Sequence, residues 1–204
     1  MKEFWNQRYN QEAYAYGKAP NIYFKEVLSS LEPGKILLPA EGEGRNAVFA
    51  ASLGWEVYAY DFSEIAFQKA TQLAQEKKVT INYQIASLSE LDFSPEFFDA
   101  IALIYVHFPD TVRTSNHCKL LEMVKKGGAV FMEAFSSNHP FYQKQNPAVG
   151  GPKMPDQLYN ITKLKNDFES LQTINLSEEI VHLKEGQYHN GKASVIRFFG
   201  KKPL

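Results

Sequence analysis

The chain has 204 residues, a formal net charge of -1 and a single cysteine, Cys118. That length suits one domain with a substantial core. The near-neutral charge offers nucleic acid no bulk attraction, and one cysteine excludes an internal disulfide framework or a cysteine metal cage. No apolar run approaches the about 18 residues of a membrane-crossing helix. The opening MKEFWNQRYNQEAY lacks the apolar core of a signal peptide, so a reducing cytoplasm is the expected location.

Phe4, Trp5, Tyr9 and Tyr14 form only a rough helical stripe. A loop around Gly17 and Pro20 leads to Asn21, a candidate cap for a helix over 22–30. Glu32-Pro33-Gly34 turns the chain into an apolar run at 36–38, followed by the turn Glu41-Gly42-Glu43-Gly44. Arg45 and Asn46 open a helix that Gly54 stops, and a second apolar run at 57–60 ends at Asp61. Ser63 is the expected cap of the next helix, with Ala66, Phe67, Ala70, Leu73 and Ala74 at helical spacing. Residues 80–86 alternate as a third strand, and 100–106 form an unbroken apolar run that belongs at the centre of a parallel sheet. A helix over 110–124 is expected to end at Lys125-Lys126-Gly127-Gly128, ahead of a fifth strand over 129–135. Residues 136–159 read as a long loop, 161–168 as a last helix, and 173–183 and 193–199 as a strand pair around a hairpin-like segment from Lys184 to Gly191, in which Asn190-Gly191 is a good turn dipeptide.

Strand, glycine turn, helix, strand and carboxylate in that order make half of a nucleotide-binding α/β sheet. The turn at Gly42 and Gly44 puts backbone N–H groups and a helix N-terminus at the carboxyl edge of the sheet. Asp61 lies about 20 residues after the turn, the spacing of a carboxylate that accepts both hydroxyls of an adenosine ribose. His107 follows the central strand at the same edge and is a candidate general base or substrate contact. The five histidines lie in no ligand-like spacing, so no metal is expected.

The chain resembles class I S-adenosylmethionine-dependent methyltransferases, and among them the tellurite-resistance methyltransferase-like group, with a weaker similarity to thiopurine methyltransferases. The resemblance is carried by FWNQRY … YGKAPN, GEGRNAVFAASLGWEVYAYDFSEIAFQKA, FFDAIALIYVHFP … VKKGGAVFMEAF, VGGPKMP and EGQYHNGKASVIRFFGKK. It implies an α/β fold, a three-layer, doubly wound, mostly parallel seven-stranded sheet with a terminal antiparallel strand pair. It implies one domain, with residues 1–34 covering the cofactor, 35–135 binding it, and 136–204 supplying the acceptor side. Implied cofactor-binding positions are Trp5, Arg8, Tyr16, Ala40, Glu41, Gly42, Gly44, Arg45, Asn46, Asp61, Phe62, Ser63, Ser87, Leu88 and Tyr105. Tyr142 and His139 are candidate substrate contacts.

Two motif positions depart from the family. Leu38 stands where an acidic residue usually helps to hold the cofactor's amino end, and Ala40 stands for the first glycine. Glu41 or Glu43 is a candidate substitute for that carboxylate. Ala tolerates most backbone conformations other than positive φ, so the turn still works.

The expected reaction is methyl transfer from S-adenosylmethionine to a small-molecule acceptor, with a thiol or reduced chalcogen needing little base help and an oxygen or nitrogen acceptor calling on His107. Two other readings stand beside it: a degenerate cofactor-binding or protein-interaction module, and an NAD-type oxidoreductase, against which the absent third glycine of Gly-x-Gly-x-x-Gly counts. Neither nucleic acid nor membrane is an expected partner, and a monomer or homodimer fits.

Overall fold

The computed structural model describes residues 2–204. Seven strands form one sheet in the order β3-β2-β1-β4-β5-β7-β6. They are β1 (Lys35–Pro39), β2 (Glu56–Asp61), β3 (Asn82–Ile85), β4 (Phe98–Ile104), β5 (Val124–Phe135), β6 (Gln172–Glu185) and β7 (His189–Lys201). The first five run parallel; β7 lies antiparallel between β5 and β6. The helices are α1 (Lys2–Tyr9), α2 (Ile22–Leu28), α3 (Arg45–Ser52), α4 (Glu64–Lys77), α5 (Asp110–Met123), α6 (His139–Gln145) and α7 (Ile161–Asp167). The doubly wound, mostly parallel sheet with a terminal antiparallel pair is the architecture expected from the sequence.

Period-two alternation sorts the core into two layers. Ile36, Leu38, Ala100, Ala102 and Phe131 pack under α2 and α3 with Phe24, Leu28, Ala47 and Ala50. Leu37, Ile101, Leu103, Val130 and Met132 face the other way, toward Leu120 and Met123 of α5 and Leu164 of α7. On β4 the small alanines lie beneath α2 and α3, while the larger Ile101 and Leu103 fill the α5–α7 side. Both faces of this strand are covered, as its unbroken apolar run requires. The helix caps also form as expected: the Asn21 side chain accepts from the Phe24 N–H and that of Ser63 from the Ala66 N–H.

Three local expectations fail. Lys125–Gly128 is not the end of α5 but the start of β5, because Gly127 N–H donates to Lys202 O and Lys125 pairs with Asp99, so partners on both sides hold the segment in the sheet as an irregular stretch with Gly127 at positive φ. Residues 136–159 are not one loop: they contain α6 and short 3-10 turns at Pro147–Val149 and Pro155–Gln157. The hairpin turns at 186–188 rather than at Asn190-Gly191, which pair within the ladder with Lys184 and Leu183. Asn146 Nδ2 donates to Asn190 O and helps to hold that dipeptide in the strand.

Candidate functional site

The carboxyl ends of β2, β1 and β4 form one edge, and each presents a distinctive residue. Asp61 ends β2 and is buried. Its Oδ2 accepts from Gly42 N–H at 3.2 Å and its Oδ1 from Ser63 N–H at 2.9 Å. Burial raises its pKa to about 6 against those amide donors. A carboxylate has about four acceptor positions, so these two bonds leave capacity on each oxygen for a further hydroxyl.

At the tip of β1, Ala40 has φ 49 and is exposed, while the four residues before it are buried. The expectation that an alanine here avoids positive φ is therefore corrected. At the tip of β4, Tyr105 has φ 55. Left-handed backbone in a non-glycine residue costs about 1–3 kcal/mol and clusters at functional edges. Two such residues end the adjacent strands β1 and β4 here.

The turn after β1 is held by its own glutamates. Glu41 accepts from the N–H groups of Asn46 and Ala47 at 2.9 and 2.8 Å, which caps α3. Burial raises its pKa to about 7, opposed by those amides. Glu43 is buried, pairs with Lys69 at 2.7 Å and accepts from Ala15 N–H. Both are thus engaged within the protein. Gly42 and Gly44 take positive φ of 66 and 86, and a Cβ on Gly44 would come within 2.6 Å of Ala70 in α4, so the α3–α4 contact requires glycine.

The N-terminal segment closes over this turn. Trp5 stacks on Tyr9 at 5.5 Å, and the Tyr9 hydroxyl lies 2.8 Å from where a Cβ of Gly42 would be. Asn6 Oδ1 accepts from the Ser63 hydroxyl at 2.6 Å. Arg8 lies over the Tyr188 ring at 3.8 Å and donates to the Tyr16 hydroxyl. Gln187 N–H donates to Ala15 O. The segment is therefore clasped to the turn between β6 and β7.

Beyond β1 the edge becomes a buried polar network. Asn21 Nδ2 donates to Glu133 Oε1 at 2.7 Å and to Glu185 Oε1 at 2.9 Å. Asn21 N–H donates to Asn46 Oδ1 at 2.9 Å. Glu133 also accepts from Tyr105 OH at 3.0 Å and from Arg197 Nε at 2.7 Å. Arg45 pairs with Glu185 at 2.9 Å, and both are buried. Burial acts to raise the Glu185 pKa, yet Arg45 and His189 outweigh it and hold it at about 2.

Of the residues singled out from sequence, Ala40, Glu41, Gly42, Gly44, Arg45, Asn46, Asp61, Phe62, Ser63 and Tyr105 gather along this edge, with Trp5, Arg8 and Tyr16 above it. Leu88 is buried and Phe62 and Ser87 are half-buried on the β3 side; the Ser87 hydroxyl donates to Glu90 at 2.6 Å. Three candidates stand apart. Both ring nitrogens of His107 meet backbone: Nδ1 donates to Gln157 O at 2.8 Å and Nε2 accepts from Phe135 N–H at 3.4 Å. His139 is fully buried behind Phe135, with ring centroids 4.0 Å apart. Tyr142 lines a groove with Asn138, Phe141 and Glu178–Ile180, beside the far edge strand β6. Sequence reasoning missed Tyr9, Tyr83, whose hydroxyl donates to Gly42 O at 2.7 Å, and the network members Asn21, Glu133, Glu185 and Arg197.

A buried carboxylate at the sheet edge with an acceptor position to spare on each oxygen suits a vicinal diol such as that of a ribose. Residues 36–128 match the model of a methyltransferase domain. No curated protein sequence matches the chain at a significant level. Among solved structures, one described by the conversion of a disulfide bond into a thioacetal group during echinomycin biosynthesis superposes with a TM-score of 0.80 at 16% identity, over 100% of this chain and 92% of that one. TehB from Haemophilus influenzae gives 0.72 at 15%, over 98% of this chain and 66% of that one. An S-adenosylmethionine-dependent methyltransferase from Methanosarcina mazei gives 0.72 at 14%, over 91% and 99%. At such identities these structures share the fold. The methyltransferase-domain match covers the strands and turn that build this edge, so residues 36–128 carry a methyltransferase domain.

Proposed function

We propose that the protein methylates a small-molecule acceptor, with the cofactor lying along the edge from β2 to β4. The observation that carries this reading is the pair of neighbouring strand tips: a backbone-held carboxylate at Asp61 and the open, left-handed Ala40 beside it. In this reading Asp61 accepts from the ribose hydroxyls, and Phe62 and Leu88 wall the base. Gly42 lets the backbone approach closely, and Trp5, Arg8 and Tyr16 cover the site. Residues 1–34 then act as the cover and 35–135 as the cofactor-binding part, while 136–204 form the acceptor side.

The cofactor supplies a methyl group on a cationic sulphur, so the leaving thioether is neutral and needs no protonation. The chain's own task is to orient the acceptor, exclude water and hold favourable charge around the transfer. The reading is tested by titrating the protein with S-adenosylhomocysteine and assaying methyl transfer to a panel of thiols, phenols, heteroaromatic hydroxyls and reduced chalcogen species. Saturable binding with turnover of at least one class supports it.

A second reading has one observation in its favour. Arg45, one of the cofactor-binding positions the resemblance implies, is already paired with Glu185, and Leu38 leaves the first strand without its usual carboxylate. Cofactor binding with no turnover across the whole panel would favour a cofactor-responsive module.

A further inference from the structure

We propose that His189 is the base that takes the proton from the methyl acceptor, with Glu185 as the residue that positions it. This rests on the methyl-transfer reading and deepens it: the acceptor is then a small molecule whose nucleophilic oxygen, nitrogen or sulphur still carries its proton at neutral pH.

The five histidines separate on geometry. His107 has both nitrogens on backbone groups. His117 and His139 are fully buried, each with one bonded nitrogen and one enclosed nitrogen without a partner. His182 is exposed on β6. His189 differs from all four. It is buried at the start of β7, opposite Glu185 at the end of β6. Its Nδ1 lies 3.4 Å from Glu185 Oε2. A carboxylate at its ordinary charge has no proton to give, so Nδ1 carries the hydrogen and Nε2 holds the lone pair. Among the described residues Nε2 has no hydrogen-bond partner.

The ring is also in the right place. Its centroid is 4.3 Å from that of Tyr105, at the tip of β4, and 4.5 Å from that of Tyr16 in the N-terminal cover. From β2 to β4 there are two strand spacings, about 10 Å. A group bound at Asp61 and extending over β1 therefore reaches the Tyr105–His189 end.

The groups facing His189 are Glu185 from β6, Arg45 from α3, Tyr16 from the cover, Tyr105 and His107 after β4, and His139 from α6. Burial pushes its pKa down to about 4 despite Glu185, so the ring is neutral and Nε2 is free to accept at neutral pH. In the step, the acceptor's lone pair forms the new bond to the methyl carbon and the carbon–sulphur bond breaks with its pair kept by sulphur. The acceptor's proton passes to Nε2. The imidazolium so formed faces Glu185 and returns its proton to solvent after product leaves. Glu185 acts through the ring: it fixes the tautomer and opposes the new charge.

The test joins nuclear magnetic resonance with kinetics. Nitrogen shifts of His189 at pH 7 should show hydrogen on Nδ1 and a bare Nε2; hydrogen on Nε2, or a protonated ring, would overturn the proposal. H189Q should bind S-adenosylhomocysteine within about threefold of wild type and lose about 100-fold or more in kcat on protonated acceptors, the scale of general-base catalysis. At saturating cofactor, where the Asp61 ionisation no longer limits binding, the acid limb of the wild-type kcat profile should track the His189 pKa read by resonance, move with it in E185Q, and vanish in H189Q. A folded H189Q with wild-type kcat, or an acid limb unchanged in both variants, would overturn the proposal, as would turnover confined to acceptors already anionic. Absence of S-adenosylhomocysteine binding by wild type would instead overturn the methyl-transfer reading beneath it.

Discussion

The two ends of the sheet edge are organised by different parts of the chain. At the β2 end, backbone does the holding: Asp61 is fixed by two amides and Glu41 by two more, all within about one βαβ stretch. At the β4–β7 end, side chains from five segments hold one another: Asn21, Arg45, Glu133, Glu185 and Arg197. Backbone donors cannot be mutated away, whereas each member of the side-chain network leaves a buried partner unsatisfied when it is removed. The first end therefore tolerates change except at its few special residues, and the second end couples stability to the acceptor side.

The sharpest break in that comparison is Glu133→Ala. It takes an acceptor away from Arg197, Asn21 and Tyr105, leaving Arg197 with Glu179 and Asn21 with Glu185, and breaking a buried pair from one side costs about 3–5 kcal/mol. Thermal unfolding should show a large fall in Tm. Asp61→Ala should act on binding: losing charged acceptors costs about 1.5–3 kcal/mol per hydrogen bond, so S-adenosylhomocysteine affinity should drop by about tenfold to 100-fold or more in calorimetry. A smaller change of Kd with a large loss of Tm would place Asp61 among structural residues instead.

The two ends should also respond differently to pH. Asp61 accepts when ionised, and its pKa is raised to about 6. Affinity should therefore be level above pH 6 and weaken by up to about tenfold per unit below it, while Asp61→Asn should bind weakly with no such slope. Glu185, held at about 2, stays ionised throughout that window. His107→Gln removes a ring that ties Gln157 O to Phe135 N–H, so Tm should fall by a few degrees with kcat on any accepted substrate little changed. At the bottom of the scale, Lys18→Ala breaks an exposed pair with Glu76 and should leave the denaturant midpoint essentially unchanged.

Legibility in the sequence follows the same division. The strands, Asn21 and Ser63 caps, Gly54 stop and Asp61 tip are local, and local pattern exposes them. Where distant partners decide, pattern misleads: the Gly127-Gly128 pair reads as a helix stop until Lys202 and Asp99 hold it in β5. Asn190-Gly191 likewise reads as a turn until the Glu185–His189 pairing places the turn earlier. Glu185 and Asn21 meet across 164 residues, which no spacing rule anticipates. One network member did carry a usable signal. Glu133 is the lone charge in the run Ala129–Phe135, every residue of which is buried, and a carboxylate placed there must have buried partners.

The central claim is that the Asp61 edge binds an adenosylated cofactor. Calorimetric titration of the wild-type protein with S-adenosylhomocysteine tests it most directly, with Asp61→Ala as the paired variant. The account predicts saturable binding by wild type, weakened by about tenfold or more in the folded variant. No detectable binding by folded wild-type protein up to millimolar ligand would contradict it.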